Sequence, residues 1–123
     1  MTLTRTGFAT LILTVLFFGV SALADVPAGQ RSEVDHLIAY LEHSDCVMIR
    51  NGNRHAADEA AEHARRKYEH FRDTISSTEE FVARAATQSL ISGRVYRVQC
   101  PGEEPVPSAE WLLAELDRYR QEN

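Results

Sequence analysis

The chain has 123 residues, a formal charge of −5 and two cysteines. That length allows one domain at most. The acidic balance argues against general nucleic-acid binding, which needs a basic face.

Residues 1–24 read as a secretory signal peptide. Arg5 supplies the positive n-region, residues 7–20 are apolar apart from two threonines, and Ala22-Leu23-Ala24 forms an A-x-A cleavage site before Asp25. The apolar run is short for a spanning helix, so no stable membrane anchor is expected after cleavage. No cysteine follows the run and no twin arginine precedes it, which points to the general export route rather than a lipoprotein. Cleavage after Ala24 leaves about 99 residues, enough for one core, and a charge of about −6. The expected address is outside the cytoplasm. In an oxidising compartment, Cys46 and Cys100 most simply form one disulfide. It would close a loop of about 54 residues and contribute roughly 4 kcal/mol through chain entropy.

Residues 25–31 contain Pro and Gly without periodicity and read as a flexible N-terminus. The single domain is expected over residues 32–123. Ser32 can cap a first helix with Val34, Leu37, Ile38 and Leu41 at helical spacing. Cys46-Val47-Met48-Ile49-Arg50 is an apolar run too short for a helix. Asn51-Gly52 suits a type I′ turn, and Asn53-Arg54-His55 is the short return strand. A hairpin this small needs a third strand, and Val95-Tyr96-Arg97-Val98-Gln99-Cys100 is the candidate. Antiparallel pairing with Cys46 near Cys100 places Met48 opposite Val98 and Arg50 opposite Tyr96. Side-chain alternation then puts Cys46, Met48, Tyr96, Val98 and Cys100 on one apolar face.

Residues 56–71 read as a helix, with Ala57, Ala60, Ala61, Ala64, Tyr68 and Phe71 in one stripe. Ser77-Thr78-Glu79-Glu80 is a capping box opening a short helix. Residues 88–94 read as a polar loop, and residues 101–105 as a turn. Ser108 is expected to cap a last helix carrying Trp111, Leu112, Leu116 and Tyr119. The fold class is α+β, with about four helices packed on a small three-stranded antiparallel sheet and one disulfide.

Catalytic and metal motifs are sparse. Glu59 and His63 lie one helical turn apart with His55 nearby, but zinc needs three or four converging ligands. No metal or other cofactor is expected. Hydrolysis would need Ser89 or Ser92 to meet Lys67 or His63, and neither G-x-S-x-G nor S-x-x-K supports it. No catalytic residue is assigned, and a small periplasmic hydrolase built on that Ser/Lys/His cluster is the alternative reading. Arg65-Arg66-Lys67 points in different directions on one helix and is flanked by acids, which favours a solvated face over an anion site. The candidate binding set is Arg50, Asn51, His63, Lys67, Ser92, Gly93, Arg94 and Tyr96. Of these, Arg50, Asn51, Ser92, Arg94 and Tyr96 are expected to line one edge of the sheet. The reading is a monomeric, non-catalytic binding or interaction module whose partner is an envelope protein or a small ligand, and an inhibitor of a secreted enzyme is one concrete form.

Two resemblances bear on this. Ser92-Gly93-Arg94-Val95-Tyr96 is similar to the S-G-x-x-Y loop of membrane-bound C-type lysozyme inhibitors, although those proteins are β-barrels and this chain is mainly helical. Ile49-Arg50-Asn51-Gly52, Glu59-Ala60-Ala61-Glu62-His63 with Lys67, Thr78-Glu79-Glu80-Phe81-Val82, Ser89 with Ser92-Gly93 and Tyr96, and Trp111-Leu112 together resemble the YfeK-like family of small exported bacterial proteins. That resemblance spans nearly all of the mature chain. It implies the envelope of a Gram-negative bacterium, with the periplasm as the expected address, and carries no activity or catalytic residues to transfer.

Overall fold

The computed structural model describes residues 25–123. The signal peptide expected over residues 1–24 lies outside the described residues. Strand β1 (Val47–Arg50) turns at Asn51-Gly52 into β2 (Asn53–His55). Asn51 has φ 51° and Gly52 φ 78°, the pair of positive values that a type I′ turn requires. Strand β3 (Arg97–Gln99) runs antiparallel on the other side of β1, with Val47 opposite Gln99, Met48 opposite Val98 and Ile49 opposite Arg97. This is the register expected from the cysteine positions. The Cys46–Cys100 disulfide closes the end of that ladder, with the two Cα atoms 4.1 Å apart. Alternation then turns Met48, Val98 and Tyr96 into the protein interior and leaves Arg97 on the outer surface.

The sheet has four strands, not the expected three. Strand β4 (Val106–Pro107) pairs with β3, giving the order β2-β1-β3-β4. Two residues carry no alternation to read, and a proline argues against a ladder position. Pro107 is tolerated because β4 is an edge strand, where one missing N–H costs little.

Four α-helices cover the inner face among the described residues: α1 (Ala28–Glu42), α2 (Ala57–Phe71), α3 (Thr78–Ala85) and α4 (Ser108–Glu122). Helix α1 starts at Ala28, ahead of the expected Ser32 cap, so the segment expected as a flexible lead is helical from Ala28 onward. Pro27 holds the N-cap position there. The Ser32 hydroxyl instead donates to the Gly29 carbonyl at 2.8 Å, back within the first turn. Asp25 ties the lead to α2 and the turn after it, accepting from the Tyr68 hydroxyl at 2.8 Å and Arg72 Nε at 3.2 Å. The α3 cap is as expected, with the Ser77 hydroxyl accepting from Glu80 N–H at 3.1 Å.

Ser108 does not cap α4. Its hydroxyl donates to the carbonyls of Ala86 at 2.6 Å and Tyr96 at 3.1 Å, pinning the start of α4 to the end of α3 and the head of β3. The core draws Val34, Leu37 and Leu41 from α1, Phe81 and Val82 from α3, and Leu112 and Leu116 from α4. Each of those leucines contributes about 2 kcal/mol by burial. On α2 the inward stripe is Ala60, Ala61 and Ala64, whose small side chains let α1 approach closely.

Candidate functional site

The hairpin turn, the loop 89–94 and one face of α2 meet at a single corner of the fold. The candidate residues gather there in two layers. The outer layer is a braced loop. Ser89 N–H donates to the Arg94 carbonyl at 3.0 Å, and Gly93 N–H donates to the Ser89 carbonyl at 2.9 Å. Gly93 sits at φ 69°, a conformation that favours glycine and closes the loop. Buried within it, the Ser89 hydroxyl accepts from the N–H groups of Ile91 and Ser92, each at 3.3 Å. Asn51 of the hairpin turn then clamps the loop from outside. Its Oδ1 accepts from the Ser92 hydroxyl, and its Nδ2 donates to the Ser89 hydroxyl at 3.5 Å. The Arg94 guanidinium extends over the turn beside Gly52.

The braced loop displays apolar side chains. Ile91 is 99% exposed and Leu90 66%. Beside it lies a groove of about 540 Å³ lined by Ile49, Asn51, Gly52, Arg94, Val95, Arg97 and Pro105. Leu90, Ile91, Ile49, Val95, Arg97 and Pro105 were not in the sequence-derived set. The signal was present, since Leu90-Ile91 is an apolar pair inside an otherwise polar loop.

The inner layer lies beneath. Tyr96, expected both on the apolar face with Met48 and along the edge of the sheet, is only 4% exposed, as the shared face with Met48 implies. Its hydroxyl is a hub, with His63 Nε2 3.4 Å away and Lys67 Nζ donating to it at 3.4 Å. His63 and Lys67 stand one turn apart on α2, so both reach the same point. Lys67 also donates to the Gln88 carbonyl at 2.9 Å, which braces the root of the loop. The ammonium lies 5.0 Å from the centre of the Tyr96 ring. Arg50 reaches in from the end of β1 with 13% of its side chain exposed.

Charge in this layer is unbalanced. His63 is pushed down to about 4, first by burial and then by the positive charges of Arg50, Lys67, Arg66 and His55. Lys67 is held below the usual lysine value by burial and by Arg50. The hydrolytic arrangement does not form. The Ser89 and Ser92 hydroxyls are engaged with Asn51 and the loop backbone, and neither hydrogen-bonds to Lys67 or His63. Nor do the three groups weighed for metal converge, since His55 pairs with Glu59 at 2.7 Å while His63 turns toward Tyr96. Of Arg65-Arg66-Lys67, the two arginines pair with acids on the surface and the lysine is buried, so the run does not act as one patch.

Comparison with known proteins agrees with the sequence resemblance. A family of unknown function, DUF5329, matches residues 28–120. An uncharacterised protein named YfeK from Salmonella typhimurium is 31% identical over 85 residues, covering 68% of this chain and 71% of that protein. No solved structure matches. The braced corner described above therefore sits in a protein that belongs to the YfeK-like family of unknown function.

Proposed function

We propose that this is a small periplasmic binding module without catalysis, exported by its N-terminal signal peptide and acting as a monomer. Its recognition element is the loop 89–94 with the groove beside it. One observation carries the reading: the loop is held by hydrogen bonds from Ser89, Asn51, Ser92 and Gly93, yet presents Leu90 and Ile91 to solvent. Exposed apolar side chains on a preorganised loop lose little entropy when a partner covers them. Arg94 and Arg97 line the groove, and neither is ion-paired among the described residues. The complementary surface has an apolar socket and carboxylates. A glycoside hydrolase cleft, which carries a pair of carboxylates, fits that description, so inhibition of an envelope or secreted muramidase is the concrete form.

The test uses oxidised mature protein from Asp25 onward and a variant carrying Ile91→Asp and Arg94→Ala, with circular dichroism confirming that both fold. Each is added to a panel of muramidases and, separately, used as bait in periplasmic extract. The expected result is a slowed muramidase, or a retained partner, with the native protein only. Equal behaviour of native and variant protein in both assays overturns the loop as the recognition element.

A further inference from the structure

Beneath the loop, the inner layer has a property that partner recognition by the loop does not require. Arg50 Nε is buried and has no hydrogen-bond partner. A guanidinium donor shut away from water and left unmade is costly, and such exceptions usually mark a site that something else completes. Lys67, 8% exposed, offers three donors but meets only two acceptors, both uncharged: the Gln88 carbonyl and, at the longer distance, the Tyr96 hydroxyl. The nearest carboxylate to the cluster, that of Glu59, reaches Arg50 Nη2 only at 3.9 Å and is largely committed to His55 at 2.7 Å. Two cations thus share a partly buried space without a dedicated counter-ion. Elsewhere in the chain buried charge is handled differently. Buried Glu33 faces Arg120, and buried Glu115 faces Arg118 and His36. His63 is half-buried and Gln88 is exposed, so the cluster lies close to the surface at the root of the loop.

We infer that Arg50, Lys67, His63 and the Tyr96 hydroxyl form a binding site for a single small oxyanion, the carboxylate or phosphate group of a ligand. Arg50 Nε and the free donor of Lys67 supply charge-assisted hydrogen bonds, which are the strong kind in a partly desolvated place. Tyr96 accepts from Lys67 and shares one proton with the neutral His63 ring 3.4 Å away, so one of the two, Tyr96 O–H or His63 N–H, donates to the anion without a third charge. This site is separate from the loop tip, and its occupancy does not depend on any protein partner.

The experiment is a titration of the oxidised mature protein, followed by the Arg50 Nε–H resonance in a nitrogen–proton correlation spectrum. Sodium acetate and inorganic phosphate are added in separate arms, each against sodium chloride at equal ionic strength. The expected result is a saturable shift of the Arg50 Nε–H signal with acetate, phosphate or both, and none with chloride. Saturation with acetate alone assigns a carboxylate ligand, and with phosphate alone a phosphate. Arg50→Gln and Lys67→Met should each weaken the effect at least tenfold, with His63→Gln as a milder variant should Lys67→Met fail to fold. The inference is overturned if neither oxyanion gives a saturable shift beyond chloride. It is also overturned if the folded variants, followed through neighbouring backbone amides, respond as the native protein does.

Discussion

Acid should destabilise this protein through His63 before it touches the carboxylates. In the folded chain His63 is pushed down to about 4 from an ordinary value of 6.5, chiefly by burial and then by Arg50 and Lys67. Between those values the unfolded chain takes up a proton that the folded chain refuses. Protons therefore favour unfolding, and stability present at pH 7 is lost as the pH falls from about 6.5 toward 4. From pH 7 to pH 5 an unscreened group would cost about 2 kcal/mol. The ring is only partly buried, so solvent screening reduces the expected loss to about 1 kcal/mol. Glu33 and Glu115, held below the usual carboxylate value chiefly by Arg120 and Arg118, act with the same sign in a lower window. Their contribution is intact above their unfolded values and is lost only as the pH falls through their lower folded values. Urea unfolding at pH 7.0, 6.0 and 5.0 in chloride buffer, for native protein and for His63→Gln, checks this. The native protein should lose about 1 kcal/mol more than the variant over that range. An identical pH dependence in the two proteins refutes the assignment.

Two further perturbations probe the frame that holds the site. Replacing Cys46 and Cys100 together with alanine releases a sequence separation of 54 residues. Urea unfolding should show a loss of about 4 kcal/mol, and a loss below about 1 kcal/mol would mean that loop entropy is not what the bond supplies. Arg120→Ala leaves buried Glu33, which also accepts from the Thr78 hydroxyl at 2.8 Å, without its cation. Arg120 is itself partly exposed, so the expected cost is about 2 kcal/mol, below that of a fully buried pair. A change within about 0.5 kcal/mol would show that Glu33 is carried by Thr78 and solvent alone.

The legible parts of the chain were those where one residue type has one physical use. Asn51-Gly52 fixed the turn because both positions need positive φ. The two cysteines and strict alternation then fixed the β1–β3 register. Strand β4 was not legible, since two residues have no period and Pro107 argues against pairing. The start of α1 was missed because Pro27 leaves no side-chain capping signature, while Ser32 offered a false one. In the site, the same alternation that gave the register also implied that Tyr96 faces inward with Met48, so of the residues grouped along the edge it is the one that the sheet buries. Leu90 and Ile91 were passed over because serines, glycine and arginine dominate their surroundings.

Charge distribution ties the two layers of the corner together. The helical segments settle most of their arginines locally: Arg31 and Arg72 on Asp25, Arg65 on Glu42, Arg66 on Glu62, Arg118 on Glu115 and Glu122, Arg120 on Glu33 and Glu79. Arg84, on α3, lies over the Phe71 ring instead. The strand and loop arginines are different. Arg50 has only a long contact to Glu59, and Arg94 and Arg97 line an open groove. Among the described residues, the ion pairs thus gather on the helices and at Asp25, while Arg94 and Arg97 at the sheet corner make none. Unpaired surface cations hold a positive potential that pairing would cancel, and such a field draws anionic groups to one place. The apolar loop tip and the buried oxyanion site both lie within that field. That arrangement is hard to explain by folding alone, because carboxylates placed beside Arg50 and Lys67 would relieve the buried charge.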